Sequence, residues 1–194
     1  MGNVGSVRNM VAHLGSEAVV VKNPEDLQFV NVIILPGVGH FRKGISVLRE
    51  NGWINSLECA RERGCWILGI CLGMQMLMKY SEEGQCDGMG WFDLDVKRIP
   101  SIKNGNNNRR VPHMGWNEVE YKHDGVEGGQ RFYFIHSYYV EGIKSPDCWA
   151  VTEYDGLRFA SAVRRGRIVG VQFHPEKSHS HGKVFLRNFL KIAK

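Results

Sequence analysis

The 194-residue sequence predicts an α/β fold, a mixed, mostly parallel sheet flanked by helices, with a hairpin-rich C-terminal half. Three observations carry that prediction. Apolar runs and amphipathic segments alternate through the first half, as in β/α units. A run from Trp66 to Ile70 meets Cys71 at a strand-to-helix junction flanked by Gly69 and Gly73. Turn signals at Asp155-Gly156 and Arg165-Gly166 separate extended runs in the second half.

The elements follow in order. Val7, Met10, Val11 and Leu14 fall at i, i+3, i+4, i+7 with Gly15 where a helix ends, so Ser6 to Leu14 reads as an amphipathic helix. Ala18 to Val21 reads as a strand. Asn23-Pro24-Glu25-Asp26 offers a cap, a first-turn proline and acidic first-turn residues, and opens a short helix. Val32 to Leu35 is a buried strand broken by Pro36, followed by the loop Gly37-Val38-Gly39-His40-Phe41. Helical patterns run from Arg42 to Asn51 and from Trp53 to Arg63, closed by Gly52 and Gly64. Past Cys71, the spacing of Met74, Leu77 and Met78 predicts a helix with one apolar face. Phe92, Leu94 and Val96 then alternate with charged residues as in a half-exposed strand, and Asn104 to Asn108 is a polar loop. Further strands are expected at 118–121, 131–135, 149–154 and 168–173, and a last helix at 184–192. No repeat or linker interrupts the chain, which reads as one domain over residues 1–194.

Cys71 is the residue around which this order makes chemical sense. A sharp turn with glycines two residues to either side lifts its side chain to the sheet edge. The helix N-terminus there favours thiolate over thiol, and the N–H of Leu72 points at an oxyanion formed nearby. The glycine loop at residues 37–39 also lies at the carboxyl end of a strand, where open α/β sheets bind ligands, and its backbone can approach a substrate oxygen. His174-Pro175-Glu176 closes the last apolar strand. If that chain stays extended, His174 and Glu176 share a face, and Glu176 can hold one ring nitrogen while the other meets a nucleophile. A cysteine, a histidine, a carboxylate and an oxyanion loop together make a nucleophilic acyl-transfer site.

Composition narrows the alternatives. No stretch approaches the roughly 18 apolar residues of a membrane span and no signal peptide opens the chain, which points to a cytoplasmic protein without membrane contact. Five cysteines without a C-x-x-C pair argue against a disulfide framework and a structural zinc. The net charge of +5 is scattered rather than clustered, so nucleic acid is not expected. No cofactor or metal is expected; His179 and His181 alone lack a third ligand.

Five ordered segments carry a family resemblance: Leu35 to Phe41 (LPGVGHF), Gly69 to Gln75 (GICLGMQ), Pro112 to Asn117 (PHMGWN), Phe134 to Tyr139 (FIHSYY) and Gly170 to Ser178 (GVQFHPEKS). They resemble the class I (triad) glutamine amidotransferases, a flavodoxin-like fold, over nearly the whole chain. Within that family the resemblance is strongest to the glutaminase subunits of imidazole glycerol phosphate synthase. It implies that Cys71 attacks the side-chain amide of glutamine, with His174 as acid and base, Glu176 orienting it, and Leu72 and Gly37, Val38 and Gly39 forming the oxyanion hole. It also implies that Gln75, Ser137 and Tyr138 contact glutamine, and that Asn3, Trp116, Tyr138 and Lys177 lie at the contact with a separate (β/α)8 cyclase subunit. In such a heterodimer the ammonia passes to the cyclase, which forms imidazole glycerol phosphate and AICAR in histidine biosynthesis.

Two departures accompany the resemblance. The family begins with an apolar strand before its Gly-x-Gly-Asn loop, whereas this sequence starts inside that loop at Met1-Gly2-Asn3, so a first strand is expected to be missing and a longer native chain is expected. Ser178 to Gly182 looks more like second copies of the subunit, which feed ammonia to a sugar amidotransferase in surface-polysaccharide synthesis. Two other classes compete. A thiol peptidase could use the same elbow, but the residue 37 loop and Gln75 suit a glutamine side chain. A non-catalytic binding protein would not need Cys71, His174 and Glu176 intact.

Overall fold

The computed structural model describes residues 4–102, 109–122 and 130–193; the polar loop at 104–108 and Asn3 lie outside them. The chain opens with α1 (Val4–His13), which buries Val7 and Val11. A 3-10 turn (Pro24–Phe29) leads to β1 (Val32–Gly37), α2 (Phe41–Glu50) and α3 (Trp53–Glu62). The elbow follows as β2 (Trp66–Cys71) and α4 (Leu72–Met76), and then come β3 (Met78–Ser81), β4 (Cys86–Asp87) and β5 (Phe92–Arg98). The second half contains β6 (His113–Tyr121), β7 (Gln130–His136), β8 (Tyr138–Val140), β9 (Cys148–Tyr154), β10 (Leu157–Arg165) and β11 (Ile168–Val171). A 3-10 turn at Pro175–Lys177 and α5 (His179–Ile192) end the described fold.

The strands run in the order β1-β2-β11-β10-β8-β5-β3-β4, with β9 on β10 and β6, and β7 on β6. The sheet is mixed, but among the described residues parallel pairing is confined to β1/β2, β2/β11 and β3/β5. Antiparallel pairing therefore extends further than the sequence reading expects. In the β9/β10 hairpin, Asp155 and Gly156 both take positive φ, 45° and 77°, as a two-residue turn matched to strand twist requires.

Helices cover β2 on both faces, which is why its sequence is apolar throughout. Ile67 joins Phe41, Ile45, Leu57 and Met74 in one core, whereas Leu68 and Ile70 join Val7, Val11, Phe185 and Phe189 in the other. Each such fully buried side chain contributes about 1.5–3 kcal/mol.

Four sequence expectations are corrected. Ala18 to Val21 forms no strand: among the described residues β1 pairs only with β2, and Val19 and Val20 are exposed, so propensity finds neither ladder nor core. Pro36 does not break β1, which continues to Gly37; a strand paired on one side tolerates the missing N–H. The segment after Cys71 is a five-residue helix, buried all round rather than amphipathic, because the chain leaves it for β3. The last helix begins at His179, ahead of Val184. Gly182 lets it pack there, since a Cβ would stand 1.8 Å from the Pro175 carbonyl oxygen. Among the described residues no helix is long and apolar enough to cross a membrane.

Candidate active site

Strand register assembles the elbow. The β1/β2 pairing sets Gly37 opposite Cys71 and Leu35 opposite Gly69, while β11 sets Gly170 against Gly69. Three glycines then interlock. A Cβ on Gly73 would lie 1.9 Å from the Leu35 carbonyl oxygen, one on Gly37 would lie 2.5 Å from the Gly73 nitrogen, and one on Gly69 would lie 2.8 Å from the Gly73 carbonyl. With the turn so compressed, Cys71 takes φ 54° and ψ −112°, a region costly for a residue with a side chain.

Polar groups of Gln172 and Ile135 approach the Cys71 thiol. Gln172 Nε2 donates to Sγ across 3.6 Å, and Sγ lies 3.9 Å from the Ile135 carbonyl. A single helical turn carries little macrodipole, so the amide donor of Gln172 is the more direct support for negative charge on sulfur.

His174 and Glu176 meet, but not on an extended strand. The backbone turns through Pro175–Lys177 in 3-10 geometry, with Lys177 N–H donating to the His174 carbonyl at 3.0 Å. Ser178 locks the turn: its hydroxyl donates to the His174 carbonyl at 2.6 Å and accepts the Tyr133 N–H at 2.9 Å. Imidazole and carboxylate are each 2% exposed, and His174 Nδ1 donates to Glu176 Oε1 at 2.8 Å. Nε2 is buried without a hydrogen-bond partner among the described residues, so it is open to a reacting group. Burial acts to lower the His174 pKa, but the influence of the nearby Cys71 thiol and the hydrogen bond and charge of Glu176 outweigh it and raise it to about 9.

The loop after β1 lies beside the elbow, where Gly37 stands opposite Cys71. Gly39 has φ 103° and Val38 is partly exposed, while Glu83 Oε2 accepts the Phe41 N–H at 2.8 Å and fixes the loop's exit into α2. Gln75 is buried, its amide nitrogen donating to the Tyr138 carbonyl and to Gln172 Oε1, each at 2.9 Å. Ser137 stands between β7 and β8, its carbonyl accepting from Ile99 at 2.9 Å. Tyr138 is half-buried against the core of Phe41 and Met74.

A separate aromatic surface lies on β6 and β7. Trp116 stacks on His179 at 5.4 Å and meets Tyr133 edge-on, and Lys177 Nζ lies 5.8 Å from the centre of the Tyr133 ring. Met114 is exposed on the same strand as Trp116. Trp116 and Lys177 thus share a face, with Tyr133 joining them, whereas Tyr138 packs elsewhere. Among the described residues no group of three or more His, Cys, Asp or Glu could hold a metal, and His179 is engaged with Trp116.

Sequence reasoning missed Glu83, Gln172 and Ser178. Gln172 carried a signal, being a polar residue inside an apolar run and two residues before His174. Glu83 carried none.

Comparison with known proteins agrees with this geometry. Residues 1–193 match the family model "Glutamine amidotransferase class-I". The chain is 41% identical over 200 residues to "Imidazole glycerol phosphate synthase subunit HisH 2" of Methanococcus maripaludis, covering 100% of this chain and 96% of that protein. It is 40% identical to "Imidazole glycerol phosphate synthase subunit HisH" of Moorella thermoacetica, covering 100% and 92%. A structure described as "Crystal structure of glutamine amidotransferase" superposes with TM-score 0.75 at 22% identity, over 99% of this chain and 94% of the other, which speaks to the fold.

Proposed function

The chain belongs to the class I glutamine amidotransferases, and from that premise we propose that residues 1–194 act as one glutaminase domain with Cys71, His174 and Glu176 as its triad. The observation that carries the reading is the strained Cys71 elbow, with a buried His174–Glu176 pair 2.8 Å apart whose outer nitrogen is unpaired.

The chemistry follows from those positions. Cys71, as a thiolate whose proton is held on His174, adds through sulfur to the side-chain amide carbon of glutamine, and the oxyanion is held by the Leu72 N–H and by the loop of Gly37, Val38 and Gly39. As the C–N bond breaks, His174 gives its proton to the departing nitrogen, which leaves as ammonia. His174, now neutral, takes a proton from water; the hydroxide attacks the γ-glutamyl thioester, and glutamate leaves with Cys71 restored. Glu176 keeps the ring aligned and its charge supported throughout. Gln75, Ser137 and Tyr138 border the glutamine site.

The enzyme works as the glutaminase subunit of imidazole glycerol phosphate synthase, beside a synthase subunit that uses the ammonia. In our reading that partner is a (β/α)8 cyclase, the pair is a cytoplasmic heterodimer, and the exposed Trp116 and Lys177, together with Asn3, meet it. Glutamate release from glutamine, measured with the cyclase and its ribonucleotide ligand and with Cys71→Ala as blank, tests the reading. Release with the cyclase supports it. Release only with a sugar amidotransferase would move the acceptor to surface-sugar synthesis, and no release with either would refute the glutaminase assignment.

A further inference from the structure

Behind the triad lies a buried polar chain that no step above uses. It begins on β6, where Asn117 Nδ2 donates to the Glu153 carbonyl at 2.8 Å and lies 3.4 Å from His113 Nε2. His113 Nδ1 lies 2.9 Å from His136 Nε2, and His136 Nδ1 lies 2.8 Å from the Tyr138 carbonyl oxygen. That same oxygen accepts from Gln75, whose amide also donates to Gln172, whose amide in turn donates to Cys71. Both histidines are buried, at 2% and 6% exposure.

The proton positions follow from one fixed point. A carbonyl only accepts, so His136 Nδ1 carries hydrogen. In a neutral ring Nε2 is then bare and accepts from His113 Nδ1–H, which leaves His113 Nε2 bare to accept from Asn117. Both Asn117 amide hydrogens and both Gln75 amide hydrogens have acceptors. The direction is also forced at the other end. Gln75 can only donate to Gln172 Oε1, so Gln172 must turn its NH2 toward Cys71.

We infer that His113 and His136 form a one-directional, neutral imidazole relay that fixes the Tyr138 carbonyl and, through Gln75 and Gln172, aims an amide donor at the Cys71 sulfur. They are positioning residues for the thiolate, and the inference rests on the proposed role of Cys71. Neutrality fits the surroundings. Burial lowers His113 to about 4, and burial, with His113 and His174 opposing any added positive charge, lowers His136 to about 3. The aromatic rings of Phe134 and Tyr154 stack on His113 at 4.9 and 4.0 Å, which orients its plane without supplying a competing acceptor.

Two measurements on the full chain test it. Alkylation of Cys71 by iodoacetamide, followed by peptide mass spectrometry across pH, reports thiolate and needs no glutamine. His136→Leu, which loses the donor to the Tyr138 carbonyl, should slow Cys71 alkylation at pH 7 about tenfold and move its midpoint up about one pH unit, the loss of one charge-assisted hydrogen bond. His136→Asn keeps a donor near the Nδ1 position and should recover most of that rate. An unchanged profile in a folded His136→Leu, or equal damage in both variants, would overturn the relay. Should His136→Leu fail to fold, imidazole 15N–1H spectra of the unaltered protein decide. Two non-titrating Nδ1–H rings between pH 6 and 8 support it, and an Nε2–H tautomer or a titrating ring at either position overturns it. Glutamate release, assayed in parallel, separates failure of the relay from failure of the glutaminase reading.

Discussion

The elbow of β1, β2 and β11 and the ribbon of β6, β7 and β9 hold their functional groups by opposite means. At the elbow, backbone touches backbone: Gly37, Gly69 and Gly73 fit because none has a Cβ, and Cys71 accepts an unfavourable φ so that its thiol is presented. On the ribbon, side chains do the holding. Phe134 and Phe159 pack around His113 and His136, and Trp116, Tyr133 and His179 build a surface from rings. A backbone lock fails as a whole when one atom is added, whereas a side-chain mosaic gives way by degrees.

The sharpest break lies at the sulfur. Cys71→Ala should cut glutamate release by at least about a thousandfold while leaving the melting temperature near its original value, since nucleophiles act as a unit with their base. Next is the lock itself. Gly73→Ala places a methyl on the Leu35 carbonyl and should destabilise the chain by about 3 kcal/mol or more in urea unfolding. Val7→Ala, in a side-chain-packed region, should lose less than that.

Glu176→Gln should lower turnover about a hundredfold and shift its pH profile. With Glu176 present, His174 is protonated up to about pH 9, so donation to the leaving nitrogen fails as pH rises through that value; the variant should lose it at lower pH. The same shift links to stability. His174 binds its proton more tightly folded than unfolded, so its contribution is full below about pH 6.5 and lost as pH rises through about 9.

The ribbon has the reverse dependence. His113 and His136 bind protons less tightly when folded, so their contribution is full above about pH 6.5 and falls away as pH drops toward 4 and 3. Denaturation midpoints between pH 7 and 4 should register a loss on the order of a few kcal/mol. The smallest effect on the fold should come from Trp116→Ala, within about 1 kcal/mol, yet it should weaken binding of the synthase subunit by about 2 kcal/mol in calorimetry.

The elbow was legible in the sequence because its logic is local. Glycines at fixed offsets from Cys71 and an apolar run feeding it leave few other conformations, and His174 and Glu176 are neighbours in the chain. The ribbon was not. His113 and His136 meet only because β6 and β7 pair in one register, and that register depends on contacts across the whole sheet. Ala18 to Val21 misled for the same reason: valines favour a strand only where another strand accepts them. Pro36 misled because whether proline breaks a strand depends on which edge is paired. Gln172 was visible as a polar interruption, but its partner Gln75 is distant in sequence and its target is a sulfur.

The most direct test is to catch the sulfur in the act. The chain and its synthase partner are mixed with glutamine, quenched in acid within one turnover, and digested for peptide mass spectrometry. A γ-glutamyl group on the peptide bearing Cys71, absent from Cys71→Ala, is the expected result. A γ-glutamyl group on any other residue, or undiminished glutamate release by Cys71→Ala, would contradict the assignment of Cys71 as the nucleophile.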